Sequence, residues 1–373
     1  MKIGIVKEAR PGDSRVPFLP ASVKKIVDVG GAVEIEKGLG SSLGLPDEAY
    51  VEAGASVAAS RKELFESSQM VLSLHRLGAD DVKLLKSGTI LISYLDPFSD
   101  QAGLDLLAAQ GVSAISMEMI PRTTIAQKMD ALSSQANLAG YQAVITAAQH
   151  LGKIFPMMST PAGTIPPARV FIIGAGVAGL QAIATAKRLG AIVEAFDTRP
   201  VVEEQVRSLG GRFVKIDLGE TGETDQGYAK QLTEEQIARQ REGMAKHCEK
   251  SDVVITTAQV FGRKAPVIVT ADMVARMKPG SVIVDLAVDS GGNVEGSEAG
   301  KVVEKGGVKI VGTTPLPALV AADASLMYSN NLHALVLHFW DKEQKSFALK
   351  LEDEIIQGSL VTHSGEICHE RFK

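Results

Sequence analysis

The stretch that decides the fold is Arg169-Val-Phe-Ile-Ile-Gly174-Ala-Gly176-Val-Ala-Gly179. An apolar run typical of a buried strand leads into the Gly-x-Gly-x-x-Gly spacing, and a helical pattern over 180–189 follows. Gly174 allows the tight turn, Gly176 lets the backbone approach a pyrophosphate, and Gly179 lets the helix pack on the strand. The helix N-terminus then binds the phosphates. A dinucleotide site is therefore predicted, with a glycine-rich turn that binds nothing as the weaker alternative.

The next predicted strand ends in an acid that bears on cofactor choice. Asp197 stands where a carboxylate accepts hydrogen bonds from the adenosine ribose and repels a 2′-phosphate, which favours NAD over NADP. Arg199 could pair with such a phosphate, and Thr198 lies between the two. Later strand ends line the same crevice. We expect these ends at Thr257, Ala258 and Gln259 and at 286–289, with ordinary loop packing as the alternative.

Short apolar runs alternate with helical patterns along the whole chain, as in βαβ units that build parallel sheets. The predicted strands of the first series are 2–6, 32–36, 70–74, 89–95 and 113–117. Those of the second series are 170–173, 193–196, 212–215, 253–256, 281–286 and 309–312. Six parallel strands are what a complete dinucleotide fold requires.

Two further helices are predicted at 131–152 and 322–341, and a β-like tail without a sheet of its own follows the second. The tail is expected to pack on the first domain. The predicted fold class is α/β, with two Rossmann-like parallel-sheet domains and a cleft between them. The first domain comprises 1–130 and is completed by the C-terminal segment 320–373, whereas the second comprises 131–319.

Composition excludes several function classes. The 373 residues carry a net charge of −5, which offers no electrostatic footprint for nucleic acid. Cys248 and Cys368 match no metal-ligand spacing, so neither a metal site nor a disulfide framework is expected. The first apolar run covers only 3–6, too short for a signal peptide, and no stretch has the length of a membrane span. The sequence therefore predicts a cytoplasmic chain with no direct membrane insertion.

Polar residues concentrate in two stretches. The first, 119–141, holds Gln135 together with Arg122, Gln127, Asp130 and Ser133. The last three are spaced by three, so a helix would place them on one face, from which they could contact a nicotinamide and its ribose. A solvated helix face is the alternative. The second stretch, 218–231, is a polar loop longer than most connections, either disordered or a functional lid.

Four runs of sequence together resemble one enzyme family. They are MEMIPRTTIAQKMDALSSQANLAGYQAVI (117–145), PMMSTPAGTIPPARVFIIGAGVAGLQAIATAKRLGA (156–191), KPGSVIVDLAVDSGGN (278–293) and VAADASLMYSNNL (320–332). The chain resembles the NAD(H)-binding subunit of proton-translocating nicotinamide nucleotide transhydrogenase over essentially its whole length. The resemblance implies a homodimer that binds NAD(H) and exchanges hydride with NADP(H) held on a partner subunit. A membrane-spanning proton-channel subunit couples this to proton passage, which places the chain peripherally on the cytoplasmic face of the inner membrane.

The resemblance also implies roles for individual residues. Those around the nicotinamide and its ribose are Arg122, Gln127, Asp130 and Ser133. Gly176 and Val177 match the pyrophosphate turn, Asp197 the ribose carboxylate, and Gly227 with Tyr228 the mobile loop that closes over bound nucleotide.

Two alternatives remain open at this point. Alanine dehydrogenase shares the architecture and an early pattern seen here from Glu8 to Arg15-Val16, but it needs a lysine and a histidine at two strand ends. His75 and Asp96 stand there instead, which argues against amino-acid oxidation. The other alternative is a non-catalytic NAD-binding protein.

Overall fold

The computed structural model describes residues 1–219 and 232–373, which form two compact units. One unit comprises Met1–Gln135 with Ala318–Lys373, and the other comprises Ala136–Pro317. The transitions predicted from the sequence lie after 130 and after 319. The first turn of the helix that begins at Ala131 belongs to the first unit because the Gln135 side chain donates to the Ala324 carbonyl at 2.9 Å.

The strands alternate with helices along most of the chain. In chain order they are β1 Lys2–Ile5, β2 Ala32–Ile35, β3 Ser56–Val57, β4 Met70–Leu72, β5 Ile90–Ser93, β6 Ser113–Ser116, β7 Met158–Thr160, β8 Gly163–Ile165, β9 Arg169–Ile173, β10 Ile192–Phe196, β11 Arg212–Phe213, β12 Val253–Thr256, β13 Val282–Asp285, β14 Val302–Lys305, β15 Val308–Val311, β16 Trp340–Asp341, β17 Ser346–Phe347, β18 Leu360–His363 and β19 Glu366–Ile367.

The α-helices are α1 Pro20–Asp28, α2 Asp47–Glu52, α3 Arg61–Ser67, α4 Ala79–Val82, α5 Gln101–Ala109, α6 Ala131–His150, α7 Val177–Arg188, α8 Glu203–Ser208, α9 Glu234–Lys250, α10 Ala271–Ala275, α11 Ala321–His338 and α12 Glu354–Ser359. Their ends carry local signals. Asp100 accepts from the Gly103 amide at the start of α5, and Thr233 with Gln236 forms a capping box on α9. Short 3₁₀ turns include Ala126–Met129.

The first unit is built on an eight-stranded sheet in the order β19-β18-β6-β5-β4-β1-β2-β3. Strands β1 to β6 pair in parallel, and β18 adds antiparallel to β6. The expectation that the C-terminal tail completes this sheet is confirmed. The tail pairs there because β18 is nearly fully buried, so its backbone groups need a sheet edge to satisfy them.

The second unit has the sheet order β11-β10-β9-β12-β13-β15-β14. Alternate residues of β9 enter separate cores, because Val170 and Ile172 pack in one cluster while Phe171 and Ile173 pack in another. Both faces of the sheet are therefore covered, as parallel sheets require. The turn from β9 to α7 lies at the carboxyl end of this sheet, where open α/β folds bind ligands.

Several elements differ from the sequence predictions. The six predicted strands of the second unit are present, but an antiparallel edge strand, β14, was missed because its side chains are mostly exposed and give no apolar run. The hairpin β7–β8 lies within 156–167, a segment rich in proline for which no strand was predicted. The strand predicted at 212–215 is just two residues long, and α11 ends at His338, three residues before the predicted end.

Candidate functional site

The glycine turn of the second unit has the geometry that its spacing predicts. Gly174 follows β9 directly and has φ of +98°, a conformation that side chains disfavour. A Cβ on Gly179 would lie 1.9 Å from the carbonyl oxygen of Gly174, so only glycine fits where α7 passes the turn. The three motif glycines and Val177, the first residue of α7, thus form one turn at the sheet edge.

The space beside this turn suits a phosphate. Gly176 precedes α7 with no side-chain cap, and a Cβ built on it would meet no atom of residues 1–219 or 232–373 within 4 Å. The first amides of α7 have no partners within the helix and carry its partial positive charge. Open room at Gly176 in front of unsatisfied donors fits the pyrophosphate of a dinucleotide.

Asp197 follows β10 beside the same turn. Its Oδ2 accepts from the Ala175 amide at 2.7 Å and from Arg199 Nη2 at 2.8 Å. Its Oδ1 accepts from the amide and the Nε of Arg199, both at 2.9 Å. A carboxylate offers about four lone-pair directions, and all four are used here. A ribose hydroxyl therefore reaches Asp197 by replacing one of these donors. Thr198, which lies between Asp197 and Arg199 in the sequence, is half-buried.

The residues after β12 are tied to the glycine turn and to the neighbouring loop. Thr257 Oγ1 donates to the Gly174 carbonyl at 3.1 Å, and Gln259 Nε2 donates to the Leu286 carbonyl at 3.2 Å. Ala258 exchanges two hydrogen bonds with the side chain of Asn293, at 3.0 and 2.8 Å. Thr257 therefore borders the glycine turn, whereas Ala258 and Gln259 are bonded to the segment after β13.

Asn293 was not predicted as a site residue, and it is fully buried. Its backbone amide donates to both carboxylate oxygens of Asp285, at 3.2 and 2.9 Å. Its side-chain Nδ2 also donates to the Pro266 carbonyl at 2.9 Å. These bonds fix the loop after β13 against the end of β12. A buried asparagine after a strand is a weak signal in sequence, because its partners are distant backbone groups.

The first unit carries the other predicted residues, Arg122, Gln127, Asp130 and Ser133. Gln127 is exposed in the 3₁₀ turn Ala126–Met129, and its side chain makes no hydrogen bond to another described residue. Arg122 is exposed as well. Asp130 leaves the helical conformation, with ψ of 86°, and α6 begins only at Ala131.

The prediction that Gln127, Asp130 and Ser133 share one helix face is therefore wrong. The physical reason is capping. Asp130 Oδ1 accepts from the Ser133 amide at 2.9 Å and Oδ2 from the Ser133 hydroxyl at 2.6 Å, which satisfies a free donor at the start of α6. Asp130 and Ser133 still form a hydrogen-bonded pair, with Gln127 on the preceding turn.

A buried ionic network lies in the same unit. Arg15 donates to Asp13 from Nε at 2.9 Å and from Nη2 at 2.6 Å, and to Gln135 Oε1 at 2.8 Å. His75 Nε2 lies 3.0 Å from Asp13 Oδ2. Burial alone would raise the pKa of the Asp13 carboxyl, but the hydrogen bonds and charges of Arg15 and His75 hold it well below its usual range. Asp13 and Gln135 were not assigned to this network from sequence.

His75 and Asp96 stand at the two strand ends where alanine dehydrogenase needs a lysine and a histidine. His75 is engaged with Asp13, and Asp96 is exposed with a positive φ of 53°. Glu118 holds this turn by accepting from the Asp96 amide at 2.6 Å, and burial raises the pKa of its carboxyl. Asp289, in the second unit, accepts from the Thr314 hydroxyl. Gly227 and Tyr228 lie outside the described residues.

Known proteins bear on these observations. Residues 4–139 match the family model for the alanine dehydrogenase/PNT N-terminal domain, and residues 143–370 match that for its C-terminal domain. The chain belongs to the alanine dehydrogenase/PNT family. It is 47% identical to an NAD(P) transhydrogenase subunit alpha polypeptide of Rhodospirillum rubrum, over 99% of this chain and 98% of that protein.

Solved structures agree with this placement. A crystal structure of transhydrogenase from Sinorhizobium meliloti has a TM-score of 0.86 and 41% identity, covering 100% of both chains. An L-alanine dehydrogenase structure has a TM-score of 0.82 but only 26% identity, covering 100% of this chain and 98% of that one. The predicted family and enzyme class, NAD(P) transhydrogenase, and the predicted α/β fold are confirmed. Across 1–219 and 232–373, no helix is both long and apolar enough to cross a bilayer.

Proposed function

We propose that this chain is the NAD(H)-binding component of a proton-translocating transhydrogenase and that it exchanges hydride with NADP(H) held on a partner subunit. The observation that carries the proposal is the turn at Gly176, where open space faces the unsatisfied amides of α7. That space accepts a pyrophosphate, and no lysine is needed because the helix end supplies the donors.

In the second unit, we assign binding roles to the predicted site residues. Asp197 accepts an adenosine ribose hydroxyl in place of one of its four donors, while Arg199 stays paired with it through the others. The charge of Asp197 disfavours a 2′-phosphate. Thr257 and Ala258 are proposed to line the nucleotide site beside the turn. NAD(H) is thus the cofactor of this chain, and NADP(H) belongs to the partner subunit. Gly227 and Tyr228 are proposed to close over the nucleotide.

In the first unit, the segment from Arg122 to Ser133 is proposed to hold the nicotinamide end. Gln127 has an exposed amide that can orient the ring carboxamide, while Asp130 and Ser133 present a hydrogen-bonded pair to the ribose. Bound nicotinamide supplies the hydride chemistry. Since direct hydride transfer moves no substrate proton, these residues contribute proximity and orientation rather than acid–base catalysis.

The hairpin β7–β8 supports assembly as a homodimer. Both strands are exposed, and Met157, Met158 and Ile165 have 66%, 45% and 43% of their surface accessible. A two-stranded hairpin is marginal by itself in water, so a second copy of the chain is the proposed cover. Met158→Asp with Ile165→Asp is expected to yield monomers in sedimentation velocity, and an unchanged sedimentation coefficient would exclude this face.

The remaining partners are a separate NADP(H)-binding subunit and a membrane-spanning proton-channel subunit. Through them the chain is proposed to sit on the cytoplasmic face of the inner membrane. Fractionation with and without the membrane subunit tests this location: the chain should pellet with membranes only when that subunit is present.

One experiment separates the candidate functions. The purified chain should bind NADH more tightly than NADPH, should produce no NADH from alanine and NAD, and should transfer hydride only after the NADP(H)-binding subunit is added. Alanine-dependent NADH production would identify an alanine dehydrogenase-like enzyme. Inactivity with the partner would leave a non-catalytic NAD-binding protein. In the active complex, Gln127→Asn should slow transfer with little change in NADH affinity.

A further inference from the structure

One buried side chain holds both sides of the segment that carries Asp130. Asn331, on α11, has only 7% of its surface exposed. Its Nδ2 donates to the Lys128 carbonyl at 2.9 Å, and its Oδ1 accepts from the Ser134 hydroxyl at 2.7 Å. Both halves of the amide are therefore satisfied, which is the condition under which a buried amide is tolerated.

The two bonded positions adjoin the residues proposed to hold the nicotinamide. Lys128 directly follows Gln127, and Ser134 directly follows Ser133. Between them the backbone departs from helical geometry at Asp130, so the repeating hydrogen bonds of α6 do not determine the orientation of the preceding turn. The hydrogen bond from Asn331 to the Lys128 carbonyl connects this turn directly to α11.

The downstream side of the break is held more than once. Gln135, the next residue, accepts from Arg15 Nη1 at 2.8 Å and donates to the Ala324 carbonyl at 2.9 Å. Loss of the Ser134 contact alone thus leaves α6 anchored. The upstream turn is buried in the core through Ala126 and Met129, and the bond to the Lys128 carbonyl adds a directional contact that fixes its backbone next to Gln127. The two bonds of Asn331 therefore have different expected weights.

We propose that Asn331 is a positioning residue for hydride transfer. It fixes the 3₁₀ turn that presents Gln127 and does not itself contact nucleotide. The inference rests on the proposed function, because it assigns Asn331 a role at that same site. Its effect falls on the transfer step, since a displacement of about 1 Å in reacting groups can reduce a rate by about 100-fold while binding persists.

The test compares Asn331→Ala, Asn331→Asp and Ser134→Ala in the assembled complex. Asn331→Asp keeps the acceptor for Ser134 but loses the donor to Lys128, with nearly the same volume. Gln357→Ala is the matched control, an exposed amide on α12 of the same unit. The measurements are the single-turnover rate of hydride transfer to NADP⁺, its primary deuterium isotope effect with 4-deuterated NADH, the NADH dissociation constant and the melting temperature.

We expect Asn331→Ala and Asn331→Asp to transfer hydride about 10-fold to 100-fold more slowly, with a larger isotope effect and little change in NADH affinity. Ser134→Ala and Gln357→Ala should stay near the unaltered rate. Wild-type transfer rates in Asn331→Asp would overturn the inference even if Asn331→Ala fails to fold, as would equal loss of NADH binding and transfer rate. Failure of the unaltered chain to transfer hydride would instead reject the proposed function and the inference together.

Discussion

Arg199 donates three hydrogen bonds to the carboxylate of Asp197, from its amide, its Nε and its Nη2, at 2.9, 2.9 and 2.8 Å. The pair places a cation beside the acid that is proposed to recognise the ribose. Selection of NAD over NADP then depends on Asp197 keeping Arg199 neutralised, because an unpaired guanidinium would attract a 2′-phosphate.

Asp197→Asn tests this dependence. The substitution removes the charge that binds Arg199 and repels phosphate, so NADH affinity should fall about 10-fold or more, as expected for lost hydrogen bonds to a charged group, while NADPH affinity holds or rises. Fluorescence titration with both nucleotides gives the ratio. Asp272→Asn, an exposed acid on α10, is the control. An unaltered NADH to NADPH ratio would show that Asp197 does not select the cofactor.

Gly176→Ala should separate binding from stability. The Cβ meets no atom of the described part of the chain within 4 Å, so the melting temperature should not change. A pyrophosphate against this turn would meet the new methyl group, and NADH affinity should therefore fall about 10-fold or more. Gly78→Ala provides the control, since its Cβ is equally unhindered in the first unit. Normal NADH binding by Gly176→Ala would place the phosphates elsewhere.

Gly179→Ala should reduce both NADH affinity and stability. Its Cβ would lie 1.9 Å from the Gly174 carbonyl oxygen, so α7 must move away from the turn, with a loss of about 1–3 kcal/mol in the free energy of unfolding. Circular dichroism during urea unfolding measures the loss, and titration measures NADH binding. Retention of wild-type stability would mean that the turn is more plastic than this contact implies.

The Asp13–Arg15 pair predicts an acid-sensitive contribution to stability. The pKa of Asp13 is depressed in the folded chain, so its contribution is present above the ordinary value of 3.8 and is lost as pH falls below it. At neutral pH, Asp13→Asn should cost about 3–5 kcal/mol because it leaves a buried guanidinium uncompensated. The difference should shrink below about pH 4. Fluorescence of Trp340, the single tryptophan, reports on this unit. A pH-independent difference would contradict the assignment.

Glu118 predicts the opposite pH dependence. Burial raises the pKa of its carboxyl, so its stabilising contribution is complete below the ordinary value of 4.5 and is lost as pH rises through the raised pKa. Glu118→Gln can still accept from the Leu95 and Asp96 amides through one oxygen. The variant should therefore gain stability relative to the unaltered chain as pH increases above 4.5. Trp340 fluorescence during unfolding at several pH values measures this difference. Parallel stability curves would show that Glu118 does not titrate in this range.

Local features of the sequence were the ones that could be predicted. The β9–α7 turn follows from residues within one short stretch, and the strand positions of the second unit follow from apolar runs. The start of α6 was also encoded locally, since Asp130 stands three residues before Ser133 as a capping residue, but the regular spacing of polar residues favoured a continuous helix. Contacts such as Asn331 with Lys128 join positions 203 apart, and no local pattern specifies them.

The pairing of β18 with β6 has a consequence for biosynthesis. Leu360–His363 pairs with a sheet whose parallel strands, β1 to β6, end at Ser116, whereas the second unit is a continuous segment, Ala136–Pro317. During translation the second unit can fold as soon as it leaves the ribosome. The first unit must wait for the last strands to be synthesised, and until then β6 presents an unpaired edge on which a chaperone could act.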